Sequence, residues 1–94
     1  MTEIKQRDNG DKGAFEIYFE GSKAGEMTYT WAGEDKFIID HTEVDEAYSR
    51  KGLAKQLVIA GVEYAREHGK KVIPLCTYAK ATIGKNPELQ DVLA

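Results

Sequence analysis

The chain is short of most of the features that would place it in a specialised class. Its single cysteine, Cys76, rules out an internal disulfide, so nothing asks for an oxidising compartment. The two histidines, His41 and His68, lie far from Cys76 and from each other, with no metal-ligand spacing among them. No apolar run approaches the length of a membrane span, and the N-terminus lacks a signal-peptide core. A net charge of −3 lacks the basic excess that a general nucleic-acid binder carries. There are no internal repeats and no low-complexity segments. The expectation is a cytoplasmic protein with no metal, no nucleic-acid partner and no membrane partner.

What is present is ordinary and compact. Ninety-four residues make one domain, 1–94, with 41% hydrophobic and 31% charged residues. A chain of this length hides only about 60–65% of its unfolded surface, so each large apolar residue matters. Alternation predicts a weak strand over residues 2–7 and a half-buried one in which Phe15, Ile17 and Phe19 share a face. Two more follow over 24–32, with Met27, Tyr29 and Trp31 on one face, and over 36–44. The short glycine turns between them imply an antiparallel meander. Ala54, Leu57, Val58, Gly61 and Ala65 then recur at helical spacing over 51–68, with Gly69 as the residue that closes the helix. The apolar run Val72, Ile73, Pro74, Leu75 reads as a strand parallel to the one before the helix, ended by Pro74. A weaker helix covers 77–85 and breaks before Pro87. The order β-β-β-β-α-β-α gives an α/β (α+β) fold: a mixed, mostly antiparallel sheet with a β-α-β crossover and a C-terminal helix.

The most informative stretch is Tyr48-Ser49-Arg50-Lys51-Gly52-Leu53-Ala54, a basic turn between a strand and the strong helix. The first helical N–H groups have no intrahelical partner, and the positive end of the helix dipole favours phosphate. Gly52 removes the Cβ that would block a close approach. On an acidic protein, the group Arg50, Lys51 and Lys55 points to a small anionic ligand, although a solvated helix start would look the same.

That turn resembles the pyrophosphate-binding motif of the GNAT superfamily of N-acetyltransferases: Gly52 and Ala54 match, while Ser49 stands where the family has Arg or Gln. His41-Thr42-Glu43-Val44, the run 74–80 and the run 86–92 resemble the small single-domain branch of that superfamily, over nearly the whole chain from Phe15. The resemblance implies a fold in which the parallel strands flanking the main helix splay and acetyl-CoA enters the gap. It implies that Thr42, Glu43 and Val44 supply a strand edge for the pantetheine amides. Arg50, Lys51, Gly52, Leu53 and Ala54 would cradle the phosphates, with Lys55 nearby and Tyr78 beside the arm. It also implies a departure, because the family usually carries two helices after its first strand, where Asn9–Gly13 leaves no room.

For catalysis, Cys76 is the sharpest candidate, as a cysteine opening a helix gains thiolate character; a buried structural cysteine is the alternative. His41 alternates in phase with Phe37 and Ile39, which predicts an inward-facing imidazole able to take a proton from an amine or from Cys76. Glu43, in phase with His41, is an alternative base, and Tyr78 is a candidate acid for the leaving thiolate. Ile83 stands where many of these enzymes have a tyrosine. The expected activity is acetyl transfer from acetyl-CoA to an unidentified amine, either directly or through an acetyl-cysteine at Cys76. A CoA-binding module without turnover and a small interaction domain are the other readings.

Overall fold

A computed structural model describes residues 2–94. Its five strands lie in the order in which the chain makes them: β1 Thr2–Asp8, β2 Lys12–Phe19, β3 Ser22–Trp31, β4 Lys36–Val44 and β5 Lys71–Pro74. The first four pair antiparallel through tight turns, and β5 runs parallel to β4 after the crossover helix α1, Leu53–His68. A second helix, α2, covers Thr77–Lys85 and leads into a 3-10 segment, Pro87–Val92. The mixed, mostly antiparallel sheet and its crossover match the expectation. The helix starts two residues later than periodicity predicts because Arg50 (φ 64°) and Gly52 (φ 74°) both sit in the left-handed region, where no α-helix continues.

Both helices cover one face of the sheet. Leu53, Leu57, Val58, Val62 and Ala65 of α1 are buried on Phe15, Ile17, Met27, Tyr29, Phe37 and Ile39. Gly61 lets α1 lie close to the sheet, since a Cβ there would come 2.7 Å from the Met27 methyl. The rim of this core is polar but satisfied: the Tyr29 hydroxyl donates to Asp8 at 2.6 Å and accepts from Gln6 at 2.8 Å, and the Trp31 indole also donates to Asp8. The other face is solvated and carries an ion-pair chain, Arg7–Glu16–Lys23–Glu26, as a sheet without helices on that side requires.

The C-terminal segment was legible only as a helix end. It folds back on α1, where Arg66 forms a bidentate pair with Asp91 and donates to the Glu88 carbonyl. Asn86 and Gln90 then cap the last carbonyls of α2, at Thr82, Ile83 and Gly84. Leu93 forms a parallel bridge with Val72, which covers the free side of β5. Among the described residues, no helix is long and apolar enough to cross a membrane.

Candidate functional site

The site is built where β4 and β5 part. Their pairing stops at Ile39 and Pro74, because proline cannot donate to the ladder. The amides of Leu75 and Cys76 both donate to the Ile39 carbonyl at 3.1 Å, so the chain leaves β4 at a fixed point. Beyond it, residues 40–44 of β4 have no strand on that side.

A bulge in β4 sets which side chains face this gap. Thr28 pairs with His41 and Tyr29 with Ile39, so Asp40 is an extra residue and the alternation changes phase there. Phe37 and Ile39 face the helices, and after the bulge so do Thr42 and Val44. His41 and Glu43 are therefore turned to the solvated face, with side chains 67% and 71% exposed and 3.8 Å apart. This corrects the inward orientation expected for His41. Strict period-two counting cannot anticipate an inserted residue. Asp40 also lies on the solvated face, where it accepts from the Thr30 hydroxyl at 2.6 Å.

Cys76 occupies the N-cap of α2 on the helix side of the gap and is 9% exposed. Its thiol donates to the Thr42 hydroxyl at 3.5 Å, a contact that period-two counting also misses, because it pairs Thr42 with Asp40 on the wrong face. Burial pushes the thiol pKa up. Hydrogen bonds with the Thr42 hydroxyl and with the amides of Ala79, Tyr78 and Thr42 outweigh it, and the net result lies below an ordinary thiol. Tyr78, next along α2, is 41% exposed, and Leu75 on the other side of Cys76 is 67% exposed. Ile83 is buried at 1%.

The turn into α1 lies at the open end of the same gap. Asp45 caps a short 3-10 turn, Glu46–Tyr48, by accepting from the Ala47 amide. Arg50 and Gly52 then bring the chain round into α1, whose first turn has no side-chain cap and no acidic residue. The amides at its start are thus left without a side-chain acceptor. Arg50, Lys51 and Lys55 are exposed around them. Lys51 is partly engaged, its ammonium 5.1 Å from the Phe19 ring centre, and Phe19 packs on Tyr48. Lys55 lies farther along, in a cavity of about 310 Å³ shared with Ile59, Glu63, Arg66, Asn86 and Leu89. Leu53 is buried at 2%, so of that residue only the backbone is offered to a ligand. Among the described residues, no group of three or more His, Cys, Asp or Glu side chains is placed to hold a metal ion.

A model of the GCN5-related N-acetyltransferase family matches residues 14–92. The chain belongs to this family. Within the family it is similar to the zebrafish (Danio rerio) protein NATD1, at 28% identity over 95% of this chain and 82% of the relative. It is also similar to human (Homo sapiens) NATD1, at 31% identity over 65% of this chain; the matched part spans about half, 54%, of that relative. Among solved structures, a GCN5-like protein from Staphylococcus aureus superposes with a TM-score of 0.75 at 36% identity, covering 98% of this chain and 87% of the other. A GNAT-family acetyltransferase from Elizabethkingia anophelis, solved with acetyl-CoA bound, shares the fold at 10% identity and a TM-score of 0.72, over 92% of this chain and 74% of the other. In this chain β1 passes to β2 through residues 9–11 alone, with no helix between them.

Proposed function

We propose that this chain binds acetyl-CoA along the gap between β4 and β5 and passes the acetyl group to an amine through Cys76. The observation that carries this reading is one of placement. Cys76 bonds Thr42 on the stretch of β4 beyond its pairing with β5, and that same stretch runs on into the turn before the uncapped start of α1. The amides and Arg50 hold the pyrophosphate, as helix starts do. The β4 edge at Thr42, Glu43 and Val44 supplies backbone groups to the pantetheine amides. Lys51 and Lys55 add positive charge, and Tyr78 flanks the arm.

In the transfer step, the Cys76 thiolate attacks the thioester carbonyl, and the tetrahedral intermediate expels the CoA thiolate, which takes up a proton. A neutral amine then attacks the acetyl-cysteine; the C–N bond forms, the C–S bond breaks, the proton on nitrogen passes to water, and Cys76 returns as thiolate. His41 has lost the role of assisting Cys76, since it faces the opposite side of the sheet. On the solvated face it stands with Asp40 and Glu43 and takes no part in the transfer at Cys76. The carboxylates of Asp40 and Glu43 favour a cationic acceptor.

A second reading, CoA binding without turnover, is favoured by one observation: the buried Ile83 offers no hydroxyl where the family's usual acid stands. Calorimetric titration with acetyl-CoA, followed by intact mass measurement, separates the two. The proposal expects one-to-one binding, an added acetyl group on the wild-type chain and none on Cys76→Ser, with binding retained in that variant. Binding without acetylation or amine transfer supports the module, and absence of binding removes both.

A further inference from the structure

The two edges of the sheet are treated differently. The β5 edge is covered by the C-terminal segment, through the bridge of Leu93 to Val72 and the Ala94 amide donating to the Val72 carbonyl at 3.1 Å. The β1 edge ends the sheet, and of the devices that blunt an edge it carries charge alone, at Glu3, Lys5, Arg7 and Asp8. It contains no proline and no glycine, and it pairs with β2 residue for residue from Thr2 to Asp8 without a bulge. Its centre, Ile4, is a half-buried apolar residue on the helix-bearing face, packed against the margin of the core. Glu3 and Lys5 flank Ile4 symmetrically on the solvated face, where both are exposed.

We propose that β1 is a homodimerisation edge: it pairs antiparallel with β1 of a second copy, about a two-fold axis through Ile4. A two-fold axis perpendicular to the sheet keeps the faces aligned only if it passes through a residue, and the charges select which one. Through Ile4, Glu3 meets the partner's Lys5 and Lys5 meets the partner's Glu3. In the same register Ile4 packs on the partner's Ile4, and Thr2 lies opposite the partner's Gln6. Through Glu3 or through Lys5, like charges coincide on the axis. Through Gln6, Lys5 would lie opposite the partner's Arg7. Only the Ile4 register is free of like-charge contacts and apolar at its centre. The product is a continuous sheet of twice the width, with the β4/β5 gaps at its outer ends and open to ligand.

A single strand pair buries less than the roughly 1,600 Å² of a standard stable interface, so the dimer is weak. Sedimentation equilibrium of the 94-residue chain, from micromolar to millimolar, reads it directly. The expected result is a monomer–dimer equilibrium that weakens with salt. Glu3→Lys and Lys5→Glu each weaken it at least tenfold, by setting like charges opposite one another. Mixing these two variants, or combining both changes in one chain, restores association. Circular dichroism melting of each variant checks that the exposed substitutions leave the fold intact. A monomer throughout the range overturns the proposal. So does a dimer indifferent to both substitutions, or one that the charge-swapped mixture does not restore.

Discussion

Two glycines in the same backbone conformation, at opposite ends of one helix, make a matched test of the anion cradle. Gly52 opens α1 at φ 74° and Gly69 closes it at φ 67°. A Cβ built at either position meets no heavy atom within 4 Å, so an alanine there costs only the left-handed backbone penalty. That penalty is about 1 kcal/mol, and a loss of this size lowers the melting temperature of a domain this small by roughly 4–8 °C. Gly52→Ala and Gly69→Ala should therefore be destabilised alike in thermal melts. Their acetyl-CoA affinities should differ. At residue 52 the new methyl takes up space in front of the uncapped amides, and a displaced phosphate loses at least about tenfold in affinity, or 1.4 kcal/mol. At residue 69 the methyl lies at the far end of a 16-residue helix, about 24 Å away, and affinity should hold. Calorimetry on the two variants reads the difference. Equal affinities, at equal stability loss, would refute the assignment of the α1 N-terminus as the phosphate site.

Other consequences follow from the core and from Cys76. Tyr29→Phe removes the donor to Asp8 and the acceptor for Gln6, and should cost about 1–2 kcal/mol in denaturant unfolding at neutral pH. The Asp8 carboxyl is pushed up by burial, but hydrogen bonds from Tyr29, Gly10 and Trp31 outweigh this and hold it below its ordinary value of 3.8. A depressed folded pKa gives stability that is complete above the unfolded value and is lost as pH falls through the folded one. The gap between wild type and Tyr29→Phe should accordingly be widest at neutral pH and should narrow in acid below that ordinary value; a gap independent of pH would contradict the network. Gly61→Leu should lose about 1–3 kcal/mol by overpacking Met27, readable in the same unfolding assay, and an unchanged midpoint would mean that α1 can lift off the sheet freely. Alkylation of Cys76, followed by mass against pH, should show its half-point below that of a free thiol, and Thr42→Val should move it upward by removing the hydroxyl.

What the sequence disclosed and what it withheld have distinct physical origins. Helices, strands and the crossover were legible because Leu57, Val58, Gly61 and Ala65, or Phe15, Ile17 and Phe19, repeat with the period of the element they build. That a turn lies at 49–54 was legible because Gly52 follows polar and basic residues and precedes an amphipathic helix. The orientation of His41 was not legible, because the bulge at Asp40 adds one residue without altering composition, and every side chain beyond it changes face. The same insertion brought Thr42 to Cys76. The 3-10 segment after Pro87 was withheld because its packing depends on Arg66, about twenty-five residues earlier, meeting Asp91. No local pattern records such a contact.

Acetyl-CoA lying in the gap between β4 and β5, with its phosphates on the turn into α1, would perturb a defined set of backbone amides. Titrating the isotopically labelled chain with acetyl-CoA and following backbone amide chemical shifts tests it most directly. Saturable shifts are expected at residues 50–55, at Thr42, Glu43 and Val44, and at Cys76 and Tyr78, with β1 and the β1–β2 turn unmoved. No shifts at millimolar ligand, or shifts that bypass the 50–55 turn, would contradict it.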